Sequence, residues 1–144
     1  MTLEERVANL EARNAISELR SAYCWYTVRG EREAVLALFT DDCVFENARN
    51  EGEAAQPVVG KQALRDYLSH MRPARRVPLV MNEVTTVTGD TAEGTCAMVS
   101  MGDGGFCGHY MDRFVRVGGR WLFQHRQFFP YWPVYRPSTE RLHP

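Results

Sequence analysis

Between Gly108 and Phe129 the chain reads GHYMDRFVRVGGRWLFQHRQFF, two alternating runs hinged at Gly118-Gly119, and a run of this kind dictates a β-hairpin. Two further runs precede it, LVMNEVTTVTG and TAEGTCAMVSMG, with turns at Gly89-Asp90 and from Gly102 to Gly105. From Val77 onward the chain is therefore mostly β.

The first half follows a different period. Leu3, Val7, Leu10, then Ile16, Leu19, Tyr23 and Tyr26 recur three or four apart with one gap, which predicts an amphipathic helix broken near Asn14 and ended by Gly30. EREAVLALF restarts a shorter helix with Val35, Leu36, Leu38 and Phe39 on its apolar face. TDDCVFEN then switches to period two, with Cys43 and Phe45 on one face and Val44 and Glu46 on the other. A loop from Ala48 to Gly60 leads to a third helix, KQALRDYLSHM, closed by Pro73. Helices first and a sheet second predict an α+β fold, with helices packed on one face of a curved antiparallel sheet. A single domain over residues 1–144 is expected. In the tail from 130 to 144, prolines forbid a central strand after Phe129, and its aromatic rings either cap the core or a dimer interface or line the mouth of an apolar cavity.

Composition narrows the partners. Of the 144 residues, 44% are hydrophobic and 24% charged, enough for a core without disulfides. Seventeen basic against 18 acidic residues give no field that would gather nucleic acid or an acidic membrane. Cys24, Cys43, Cys96 and Cys107 have no metal-ligand or redox spacing, so no metal is expected. The start MTLEERVANLEARN is charged and polar where a signal peptide needs an unbroken apolar run, so no signal peptide and a cytoplasmic location are expected. No phosphate loop or Ser-His-Asp order occurs, and no cofactor is expected.

The phrases ISELRSAY, LFTDDCVFEN, VVGKQALRDYL, VTGDTAEG and GHYMDRFVRVGGRWLFQHRQF, in this order, resemble the SnoaL-like branch of the nuclear-transport-factor-2-like superfamily. The resemblance covers nearly the whole chain. It implies a cone in which a strongly curved antiparallel sheet wraps the long helix and encloses an apolar pocket. Its members include scytalone dehydratase, ketosteroid isomerases, polyketide cyclases and dioxygenase small subunits, while others only bind or assemble, so fold alone does not settle function. It implies a cofactor-independent lyase, isomerase or cyclase acting by proton transfer on an aromatic or polycyclic apolar molecule. The alternative is a binding or assembly protein of the same fold. Dehydratases of the family carry an aspartate a few residues after the tyrosine that matches Tyr23, where this chain has Val28, and a histidine in the stretch matching RRVPLVMNEV, where it has none.

The hairpin register decides which groups meet. A two-residue turn at Gly118-Gly119 sets Asp112 opposite His125, a candidate proton-transfer couple. A three-residue loop from Val117 to Gly119 sets Asp112 opposite Gln124 and diagonal to Arg126, with Tyr110, Asp112, Phe114, Leu122, Gln124, Arg126 and Phe128 on one face. The second register is preferred, because the resemblance implies a pocket lined from both strands. The catalytic candidates are Tyr23, Tyr110, Asp112, Arg126 and His125; Tyr26, Asn47, Ser100, Phe128 and Trp132 are candidates for lining the pocket. An inward Glu46 could act as a base. Trp121 and Phe123 fall on the opposite face, where exposure would favour a homodimer.

Overall fold

The structure is a computed structural model and describes residues 1–47, 56–102 and 105–131; the expected tail, including Trp132, lies outside the described residues, as does most of the expected loop after Asn47. The helix α1 runs unbroken from Leu3 to Arg29. Thr2 and Glu5 form a reciprocal cap, the Thr2 hydroxyl accepting from the Glu5 N–H at 3.1 Å while the Glu5 carboxylate accepts from the Thr2 N–H at 2.7 Å. No break occurs at Asn14, whose amide donates to Glu18 one turn on instead of competing for the backbone. The gap in the apolar spacing is filled by Ala12, so the buried stripe is Ala12, Ile16, Leu19, Arg20 and Cys24. Leu3, Val7 and Leu10, expected on that stripe, are exposed. Gly30 ends the helix with φ of 70°, and a Cβ there would lie 2.6 Å from the Pro73 nitrogen.

Two short helices, α2 (Arg32–Leu36) and α3 (Lys61–Tyr67), flank β1 (Phe39–Asn47) and the two-residue β2 (Val58–Val59). The long strands follow: β3 (Arg76–Thr88), β4 (Thr91–Gly102), β5 (Cys107–Val117) and β6 (Arg120–Pro130). Together they make one curved, unclosed sheet in the order β2-β1-β6-β5-β4-β3, antiparallel apart from the β1–β6 pair. The expected α+β architecture is the one observed, with α1 packed chiefly on β3 and β6.

The hairpin register differs from both expectations. Gly118 and Gly119, with φ of 56° and 78°, form a two-residue turn, and Val117 pairs with Arg120. A β-bulge at Gln124 then adds one residue to β6, so Phe114 faces Phe123 while Asp112 faces Arg126 directly. The bulge has a packing cause. Strict alternation cannot bury Trp121 and Phe123 together with Arg126 and Phe128, and one extra residue between the pairs turns all four inward. Leu122 and Gln124 are thereby excluded from the inner face, and Trp121 and Phe123, expected on the exposed one, belong to the core. No atom of the described residues lies within 4 Å of a Cβ at Gly119, so Gly119→Ala meets backbone strain alone among them. It should lower the urea midpoint by the equivalent of about 1–2 kcal/mol.

A second bulge interrupts β3 between Met81 and Val84, with Asn82 at φ of 55°. It swings Glu83 toward α1, where its carboxylate accepts from the Ser17 hydroxyl at 3.0 Å and from Arg20 at 3.1 Å.

Candidate functional site

The inner faces of β5 and β6 carry charge into an apolar interior. Arg126 is fully buried, and its guanidinium carbon lies 3.5 Å from the ring centre of Tyr110, 4.3 Å from Tyr23 and 4.4 Å from Phe123. Its Nε stands 3.4 Å from Asp112 Oδ1 without hydrogen-bond geometry, and none of its three nitrogens has a hydrogen-bond acceptor among the described residues. Asp112 is instead hydrogen-bonded by Arg20, whose Nε donates to Oδ2 at 3.4 Å. Arg20 also donates from Nη1 to Glu83 and to the Thr85 hydroxyl, and lies over the Phe114 ring. Gly94 makes room for it: a Cβ there would stand 2.9 Å from Arg20 Nη2.

The result is a charged chain, Glu83–Arg20–Asp112–Arg126, running from the sheet edge to the interior. Burial pushes the Asp112 carboxyl above its usual range, against the pull of Arg126 and Arg20. Burial pulls the Arg126 guanidinium down, but Asp112, Tyr110 and Tyr23 outweigh it, and the group stays charged. Burial raises the Tyr23 phenol and raises Tyr110 well above its ordinary value, which leaves both as neutral O–H donors. Four of the expected catalytic residues, Tyr23, Tyr110, Asp112 and Arg126, are thus brought together.

The fifth is not. His125 faces the outer side of the sheet, where its Nε2 is 2.5 Å from Glu46 Oε2, and Gln127 donates to the same oxygen at 2.7 Å. The bulge that turns Arg126 inward turns His125 out, so neither His125 nor Glu46 supplies an interior base. His125 and Gln127 line an outer cleft of about 460 Å³ with Val84, Thr95, Met111 and Arg113. His109 is outside as well, stacked on Phe129 at 4.9 Å with its Nδ1 bonded to the Tyr131 hydroxyl.

Of the expected lining residues, Phe128 is buried with Tyr110, Cys96 and Met98, and Ser100 is buried on β4. Tyr26 is half-buried against the core with the Arg29 guanidinium over its ring. Asn47 ends β1 beside Phe128, its side-chain oxygen buried without a hydrogen-bond partner among the described residues. Trp132 lies outside the described residues. Two participants went unread in the sequence: Arg20, a charge within the apolar stripe Ile16–Arg20–Cys24, and Thr27, one turn beyond Tyr23, whose buried hydroxyl also has no hydrogen-bond partner among the described residues.

The cluster has an alkaline consequence. Burial, opposed by Arg126 and Arg20, pushes the Cys96 thiol from 9.0 to about 11. A raised folded-state value contributes stability that is full below pH 9 and lost as pH rises through 11, here about 3 kcal/mol. Cys24, Tyr23 and Tyr110 are raised too and act with the same sign. Urea midpoints should therefore fall between pH 8.5 and 11, and less steeply in Cys96→Ala.

This chain belongs to the SnoaL-like domain family, whose profile matches residues 8–127. The family includes isomerases and dehydratases. No curated protein matches the chain. Among solved structures, a Mycobacterium tuberculosis protein of unknown function, solved as an aspartate-to-asparagine variant, is 26% identical over 93% of this chain and 78% of its own, with a TM-score of 0.77. A candidate scytalone dehydratase of Novosphingobium aromaticivorans is 20% identical over 85% of each chain, TM-score 0.73, a likeness of fold alone. The beta subunit of a candidate aromatic-ring-hydroxylating dioxygenase from the same organism is 25% identical over 84% of this chain and 90% of its own, TM-score 0.70. Among the described residues, no helix is long and apolar enough to cross a membrane, and no three His, Cys, Asp or Glu side chains cluster as metal ligands.

Proposed function

We propose that this chain is a cofactor-independent lyase, isomerase or cyclase that moves a proton on an aromatic or polycyclic carbonyl compound held inside the cone. The observation that carries the reading is Arg126, a fully buried guanidinium whose nitrogens lack acceptors among the described residues. A fork of donors within aromatic walls suits a carbonyl oxygen. Asp112 supplies the base. In the proposed step a C–H bond beside the carbonyl breaks, its proton passes to Asp112 Oδ1, and the electron pair moves onto the oxygen at Arg126 as an enolate. The negative charge shifts from Asp112 to the substrate oxygen, and the buried sum does not change. Low dielectric therefore opposes this step less than one that creates charge. Returning the proton at another carbon isomerises the substrate; alternatively the enolate electron pair re-forms the carbonyl, the C–O bond at the β carbon breaks, and the Asp112 proton passes to the departing hydroxyl, which leaves as water and dehydrates the substrate.

Deuterium uptake at the carbon beside the carbonyl, followed by NMR in heavy water, tests the step. The wild type should exchange an aromatic ketone that it binds, and Arg126→Lys should do so at least tenfold more slowly while remaining folded. Binding without exchange favours the second reading, a non-catalytic small-molecule binder. That reading is motivated by His125 pairing with Glu46 outside the interior and by Asp112 standing between two guanidiniums. A homodimer through the outer face of the sheet belongs to either reading. Its motivation is the exposure of Val77, Leu79, Met81 and Met101 there, and light scattering should return twice the monomer mass. Four free cysteines suit a cytoplasmic location.

A further inference from the structure

The interior holds other buried polar atoms without hydrogen-bond partners among the described residues, and the register places them. Arg126 faces Phe45 across the β1–β6 pair, and Asn47 lies two residues further along β1 on the same face as Phe45, beside Phe128. Two residues of strand advance the site by about 7 Å. On α1, Thr27 follows Tyr23 by one turn, an advance of about 6 Å. Both steps run the same way. The C-terminal end of α1 packs on the segment just before β3, where the Ala74 N–H bonds the Val28 carbonyl, and β3 begins opposite the end of β4, at the end of the sheet where β5 starts and β6 finishes. Asn47 Oδ1 and Thr27 Oγ1 are thus both displaced from Arg126 toward that end, a candidate second polar station, on the side where the Phe128 and Tyr110 rings pack with centres 5.0 Å apart.

We propose that Asn47 and Thr27 read a hydroxyl group on a neutral aromatic ketone whose carbonyl oxygen is held by Arg126. The proposal rests on the interior-site reading above and adds the substrate's second recognition point. A hydroxyl both donates and accepts, which suits an amide oxygen and a threonine hydroxyl together. Neutrality follows from the charge chain. Glu83, Arg20, Asp112 and Arg126 sum to zero, so an anionic head group would bring an uncompensated charge into a buried site. A ring carrying carbonyl and hydroxyl at opposite positions spans the two stations.

Three probes separate the possibilities by NMR titration: para-hydroxyacetophenone, acetophenone and para-hydroxybenzoate. The hydroxy ketone should bind roughly tenfold more tightly than acetophenone, and Asn47→Leu and the near-isosteric Thr27→Val should each remove most of that difference while leaving acetophenone affinity unchanged. Equal binding of the two ketones, or variants that weaken both alike, overturns the second station and leaves the Arg126 site standing. Preferential binding of para-hydroxybenzoate overturns the neutral head group. If no probe binds, or if Arg126→Met leaves ketone binding intact, the interior-site reading itself falls and this proposal with it.

Discussion

Asp112→Asn is expected to lower the unfolding free energy by about 3–5 kcal/mol, enough to leave much of the chain unfolded at ordinary temperature. The change is nearly isosteric, so the loss is electrostatic. Arg20 retains Glu83 and Thr85, but Arg126 loses the opposite charge of Asp112 in a site that offers it no hydrogen-bond acceptor among the described residues. Arg126→Met should be much milder, within about 2 kcal/mol of wild type, because an apolar chain of similar length fits among Tyr23, Tyr110 and Phe123. Adding Arg126→Met to Asp112→Asn should recover part of the loss. Urea unfolding of the four proteins measures the coupling. A cost below about 1 kcal/mol for Asp112→Asn would mean that water or a bound molecule, and not the carboxylate, compensates Arg126.

Gly94→Ala should be comparably damaging, at about 3–5 kcal/mol, though it adds a single methyl group. Gly94 pairs with Thr85 on one side and Asp112 on the other. A Cβ would overlap the Val84 carbonyl oxygen, which is backbone and cannot rotate away, and would stand 2.9 Å from Arg20 Nη2. Relief requires β3 to move, and with it the bulge that delivers Glu83 to Arg20. Gly89→Ala is the control, since it has positive φ but no atom of the described residues within 4 Å of a Cβ. If the two variants unfold at the same urea concentration, the close packing around Arg20 is not a constraint.

The class of fold was legible because it depends on period alone. A change from helical spacing to alternation near Thr40 and the glycine turns at 89 and 118 suffice for helices followed by a meander. The β1–β6 pairing was not legible, since it is made between residues more than 80 positions apart. The hairpin shows why the site was only half readable. Its apolar pattern shifts phase as W-x-F-x-x-R-x-F, and that shift is visible only to a reader who already allows an arginine inside the core. Counting by strict alternation gave the right partner for Asp112 through the wrong turn, and it left the side of His125 open. Arg20 was hidden for the same reason, one charge in the stripe Ile16–Arg20–Cys24 where the pattern asks for an apolar residue. Buried charge inverts the rule by which interior positions are recognised, so the residues with the most chemistry are those that pattern reading sets aside.

The parallel join between β1 and β6 bears on the order of synthesis. On the ribosome β1 emerges early, but its long neighbour β6 is the last of the described strands to be translated. Until then Phe39, Cys43 and Phe45 have no β6 ladder beside them, and the inner layer lacks Phe123 and Arg126. Nascent chains stopped short of Arg120 should therefore remain open to protease and available to chaperones, and compaction should come late and nearly all at once.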